Sequence, residues 1–114
     1  MNSEDYTRIA KMTMKEDNPA SRLVNAALGL AGEAGEVCDH LKKNMFHGHA
    51  LDTDHLVKEL GDIQWYIVQA CEALGVTLDE VMRKNNTKLL ARYKQGFNEH
   101  DSINREEYVG TNNT

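Results

Sequence analysis

Little in this chain interrupts a helix. One proline and eight glycines are spread over 114 residues, so long helices are expected. No apolar run approaches the roughly 20 residues that a helix needs to cross a bilayer, which excludes a membrane span. The opening Met1-Asn2-Ser3-Glu4-Asp5 lacks the basic-then-apolar layout of a signal peptide. The two cysteines, Cys38 and Cys71, form no CxxC unit and fall inside helical patterns. They read as reduced, buried thiols of a cytoplasmic protein. A basic excess is also missing. With a formal net charge of −5, sequence-independent binding to nucleic acid is disfavoured. A nucleotide ligand is not, because a bound cation can reverse the local sign.

What the chain has is enough apolar residue, 40% against 27% charged, for one globular domain. Period-2 alternation of useful length is absent, while 3-and-4 spacing recurs. Tyr6, Ile9, Ala10 and Thr13 mark a first helix over about 3–15. Asn18-Pro19 gives an N-cap and a favoured first position for a second helix running to about Phe46. Its stripe is Leu23, Ala27, Leu30, Ala34, Val37, Leu41 and Met45. After the loop Phe46-His47-Gly48-His49-Ala50-Leu51, Asp52 or Thr53 can cap a third helix striped by Leu56, Leu60, Ile63, Ile67, Ala70 and Leu74. Gly75 terminates it. Thr77-Leu78-Asp79-Glu80 has the form of a capping box that opens a fourth helix to about Tyr93, closed by Gly96. The expected architecture is an all-α four-helix bundle over 1–97, with a polar C-terminal tail over 98–114, frayed or extended. Val57, Trp65 and Val68 give the third helix a second apolar side, which predicts oligomerisation through helix faces.

Two acidic pairs stand out, Glu33 with Glu36 and Glu59 with Asp62. Three residues apart on a helix, each pair sits on one side, one turn apart, at a like-charge cost of a few tenths of a kcal/mol, roughly. At about 100° per residue they flank the apolar stripes of their helices. Packed antiparallel, the helices can bring both pairs to one groove, where four carboxylates suit a hard cation such as Mg²⁺ or Mn²⁺. A solvated acidic face competes with that reading, and on the residues alone both stay open. Gly32, Gly35 and Gly61 lie within the motifs although glycine in a helix costs about 1 kcal/mol relative to alanine. Close helix approach and backbone access for a ligand are the two explanations. Asn85, Lys88 and Arg92 share one side of the fourth helix and offer the positive charge that a triphosphate needs, unless they serve only as salt-bridge partners.

Three segments in this order and separation resemble the MazG-type nucleotide pyrophosphohydrolases, of the all-α NTP pyrophosphohydrolase superfamily. They are Ala27-Leu-Gly-Leu-Ala-Gly-Glu-Ala-Gly-Glu-Val37, Lys58-Glu-Leu-Gly-Asp-Ile-Gln-Trp-Tyr66 and Lys84-Asn-Asn-Thr-Lys-Leu-Leu-Ala-Arg-Tyr93. The resemblance spans about Leu23 to Phe97. It implies Glu33, Glu36, Glu59 and Asp62 as magnesium ligands, and Asn85, Lys88 and Arg92 as substrate- and phosphate-binding residues. It further implies hydrolysis of a (d)NTP to the monophosphate and pyrophosphate by a homodimer or homotetramer. Many relatives carry a further acid where this chain has Gly32 and Lys58, which bears on metal number and affinity.

The expected chemistry follows. The four carboxylates hold the metal, Glu33 or Glu36 accepts a proton from water, and the fourth-helix cations stabilise the outer phosphates. Alternatives are a dUTP- or dCTP-specific pyrophosphatase, a phosphoribosyl-ATP pyrophosphohydrolase, and a non-catalytic helical module that binds nucleotides. Trp65 and Tyr66 are expected to serve packing more than base stacking. Tyr6 and Arg8 lie on a helix from which a nucleotide is within conceivable reach. The loop histidines 47 and 49 read as a turn or lid.

Overall fold

A computed structural model describes residues 1–94 and 96–104. Five helices follow one another in it: α1 Ser3–Met12, α2 Pro19–Phe46, α3 Thr53–Leu74, α4 Leu78–Arg92 and α5 Glu99–Ile103. The described residues contain no strand, so the fold is all-α. The chain divides into two compact units, one ending at Leu78 and the other beginning at Asp79.

The caps sit where local chemistry places them. The Asn2 side chain accepts from the Asp5 N–H, and the Asn18 side chain from the Ser21 N–H, with Pro19 at the first helical position. Asp52, not Thr53, caps α3 through the His55 N–H at 3.0 Å. Gly75 stops α3 in the left-handed region, φ 70°, and its N–H and that of Val76 close back on Glu72 and Cys71. The first helix ends three residues earlier than expected. There Thr13 turns its hydroxyl onto the Ala10 carbonyl at 2.7 Å, and that same hydroxyl accepts from the Trp65 indole at 2.7 Å. Thr13 thus ends α1 and ties it to α3.

In the first unit α2 and α3 pack antiparallel. Asn25 donates to Gln69, Gly29 lies against the Tyr66 ring, Glu33 meets Glu59 and Asp62, and the rings of His40 and His55 are 5.3 Å apart. Each step forward on α2 is a step back on α3. On the other side of α3, Ala10, Val68 and Leu78 form a small core with Tyr6, Met14, Trp65 and Ile67 packed on it. Lys11 and Glu72 add an ion pair at 3.3 Å. Trp65 is therefore a packing residue.

The face of α2 that packs on α3 differs from the expected stripe. It consists of Ala26, Gly29, Leu30, Glu33, Val37 and His40, whereas Leu23, Ala27, Ala34, Leu41 and Met45 are exposed. At about 100° per residue the packed face is rotated roughly 75° from the leucine stripe, and that rotation carries Glu33 to its centre. The cause is steric. A Cβ at Gly29 would clash with the Tyr66 ring, so the helices approach where α2 is smallest. At Gly32, Gly35 and Gly61 a Cβ would meet nothing within 4 Å, so close approach within the chain does not explain those three. On α3, too, Leu60 and Leu74 are exposed while Glu59, Val68, Gln69 and Cys71 are buried. The opposed chain directions put the two unburied stripes on one side of the pair.

In the second unit α4 leads through Tyr93 to a turn at Gly96, φ 89°, and the rings of Tyr93 and Phe97 lie 5.4 Å apart. Helix α5 occupies part of the segment expected to be frayed or extended, because Asn98 caps it through the Asp101 N–H at 2.7 Å. The rest of that tail, 105–114, lies outside the described residues. Cys71 is buried as expected, but Cys38 is exposed, since it falls on the side of α2 away from α3; no disulfide joins them. No helix among the described residues is long and apolar enough to cross a membrane.

Candidate metal centre

The α2–α3 register brings Glu33, Glu59 and Asp62 together, with one carboxylate oxygen from each within 4.8 Å of the others. Glu33 sits at mid-seam, Glu59 is buried at 9% exposure, and Asp62 is exposed at the rim. Glu36, one turn along, is exposed and outside this group, yet close enough for its charge to act on Glu33.

The electrostatics follow from that crowding. The Glu33 carboxyl is pushed up to about 7 from an ordinary 4.5. The largest cause is the hydrogen bond that its protonated form makes with Glu59. Burial comes next, then the charges of Glu59, Asp62 and Glu36. Three carboxylates cannot share so small a space while all are ionised unless a cation joins them. Oε2 of Glu59 is buried and has no hydrogen-bond partner. A buried carboxylate oxygen without a donor is costly, and it is the atom that a cation would satisfy. The donor set is all oxygen, which suits a hard divalent ion. The residues present therefore fit a metal.

Around the acids lie His55 and His40, which the sequence did not single out, and Tyr6, which it did. His55, one turn before Glu59, places Nε2 3.5 Å from Glu59 Oε1. His40 accepts from the Asp52 N–H through Nε2 at 3.0 Å. The His55–Glu59 spacing of four residues was a legible signal; the His40 contact, across two helices, was not. Tyr6 donates to the Gly61 carbonyl at 3.4 Å, and its phenol is pushed up by burial and then by Asp62. Arg8 is exposed. The loop histidines are exposed as well, but the loop is tied down: the His49 N–H reaches Lys43 O, and Asn44 donates to His49 O at 2.9 Å.

Asn85, Lys88 and Arg92 lie on α4 in the second unit. Asn85 and Lys88 are exposed. Arg92 is half-buried, its guanidinium 5.8 Å from the centroid of the Tyr93 ring.

Residues 23–97 match the model of the MazG nucleotide pyrophosphohydrolase domain. The chain is similar to the Gene 37 protein of Mycobacterium phage L5, with 37% identity over 82 residues, covering 68% of this chain and 72% of that protein. No solved structure matches it. The matched segment contains the whole acidic cluster and all of α2, α3 and α4 except the first turn of α2, and the chain belongs to the MazG nucleotide pyrophosphohydrolase family.

Proposed function

We propose that this chain is a Mg²⁺-dependent nucleoside triphosphate pyrophosphohydrolase, converting a (d)NTP and water to the (d)NMP and pyrophosphate. The observation that carries the reading is the convergence of Glu33, Glu59 and Asp62, together with the buried, unpartnered Oε2 of Glu59, within a MazG domain. Glu33, Glu59 and Asp62 hold the ion, and Glu36 completes the set from the rim. Mn²⁺ can substitute, since it accepts the same ligands. The metal supplies charge neutralisation on the phosphates and a lowered pKa for bound water.

The chain's own residues do the rest. Glu33, which stands at the centre of the acidic cluster, would accept the water's proton, with Glu36 as its alternative. Lys88 and Arg92 bind the outer phosphates, Lys88 as a point charge and Arg92 as a planar fork. Asn85 orients the nucleotide. We place the activity in the cytoplasm, in a homodimer or homotetramer.

The test is hydrolysis of a panel of canonical and modified (d)NTPs with Mg²⁺ and with EDTA, resolving monophosphate plus pyrophosphate from diphosphate plus phosphate. Metal-dependent pyrophosphate release is expected. One strongly preferred substrate, such as dUTP, dCTP or phosphoribosyl-ATP, would narrow the activity, and binding without turnover would leave a nucleotide-binding module. Glu59→Gln keeps the side chain's shape and removes its charge, and a loss of at least ~100-fold in kcat/KM is expected from disruption of a metal site. Hydrolysis by that variant at the parent rate would overturn the ligand assignment.

A further inference from the structure

Beside the acidic cluster runs a second set of polar contacts to which the proposed chemistry assigns no role. Asp52 makes two of them. Its backbone N–H donates to His40 Nε2 at 3.0 Å, and its side chain accepts the His55 N–H at 3.0 Å. The first contact requires a lone pair on His40 Nε2, so in that ring the proton of the neutral form sits on Nδ1. The His40 ring lies 5.3 Å from the His55 ring, tilted by 35°. His55 in turn sets Nε2 3.5 Å from Oε1 of Glu59. The other oxygen of that carboxylate is the buried, unpartnered Oε2.

We infer that His55, braced by His40 and the Asp52 cap, is a positioning residue that holds Oε1 of Glu59 so that Oε2 is presented to the metal. A carboxylate with two free oxygens can rotate between them, and its average orientation then binds less well. Fixing one oxygen from outside the site leaves the other aimed, at no cost in ligand number. The brace has a reason to start from Asp52. An N-cap is held rigidly by the helix it caps, and here it also reaches across to α2. It thereby couples the α2–α3 register to the orientation of a ligand two turns further along. Being exposed, His55 contributes little packing of its own, so its removal should leave the fold intact.

This inference rests on the metal-binding reading of the cluster, and the experiment separates the two. Binding of Mn²⁺ alone to the full chain is measured by the electron paramagnetic resonance of free Mn²⁺, at fixed pH, with thermal melting as a check on the fold. His55→Ala should weaken Mn²⁺ binding about 10-fold or more while the melting temperature stays near the parent's. His55→Gln, which keeps an N–H donor at similar reach, should restore most of that affinity. His40→Phe, which removes the brace and keeps the ring, should fall between them. In turnover the metal concentration for half-maximal rate should rise by the same factor in His55→Ala, with kcat at saturating metal within about threefold of the parent.

Parent-like Mn²⁺ affinity in His55→Ala would overturn the positioning role and leave the metal site standing. No better binding by His55→Gln than by His55→Ala would also overturn it, since the role requires the donor. Absence of Mn²⁺ binding by the parent chain would overturn both readings.

Discussion

Glu33 concentrates the electrostatic cost of the site in one side chain. Its carboxyl is held near 7 in the folded chain against 4.5 as an ordinary glutamate, so between those values the folded state binds more protons than the unfolded state does. Stability then falls as pH rises through that window, and the penalty is fully present above about 7. The metal-free protein should melt at a higher temperature at pH 5 than at pH 7.5. Glu33→Gln should flatten that part of the profile and raise the melting temperature at pH 7.5, as scanning calorimetry in EDTA would show. Added Mg²⁺ should reduce the parent's slope, because a cation replaces the shared proton as the agent that relieves repulsion.

Among the elements, the α2–α3 pair decides where the chemistry sits, and Gly29 decides how that pair packs. A methyl group there would overlap the carbons of the Tyr66 ring, so the ring or one of the helices must shift. Gly29→Ala should destabilise the chain by about 1–3 kcal/mol despite alanine's better helix propensity, a midpoint shift that urea denaturation can read. Gly32→Ala is the control, since a Cβ there meets nothing, and it should be neutral or mildly stabilising. Because Gly29 lies one turn before Glu33, its variant should also weaken metal binding. A change confined to stability would show that the register tolerates the insertion.

In the whole molecule the buried apolar core is small: among the described residues it consists of Ala10, Ala26, Val68, Cys71 and Leu78. Leu23, Leu41, Met45, Leu60 and Leu74 are left exposed on one side of α2 and α3, as a run of large apolar side chains that monomers rarely present to water. We propose that a second copy of the chain covers this face; the side of α3 from which an oligomer was expected, Val57, Trp65 and Val68, is not that face, because Trp65 and Val68 pack with Ala10 of α1 in the chain's own core. Leu41→Glu puts a charge into that face without touching an acidic ligand. Sedimentation should show a shift to a smaller species relative to the parent, and an unchanged sedimentation coefficient would move the interface elsewhere.

The helices and most of their ends are written in the chain's local chemistry, because caps, Pro19 and Gly75 act through bonds to near neighbours. The sequence also marked the acids, since i and i+3 spacing is a local property, and three short motifs were enough to indicate the family. It pointed to the wrong face of α2. Apolar periodicity reports everything a helix buries, including what a partner covers, and the leucine stripe was larger than the face that packs within the chain. It took the packing of α2 on α3 to establish that Gly29 meets Tyr66, that Glu33 and not Glu36 stands at the centre of the cluster, and that His40 and Asp52 reach His55 beside Glu59. Each depends on the rotation of one helix against another, which close backbone approach settles and no single-helix pattern encodes.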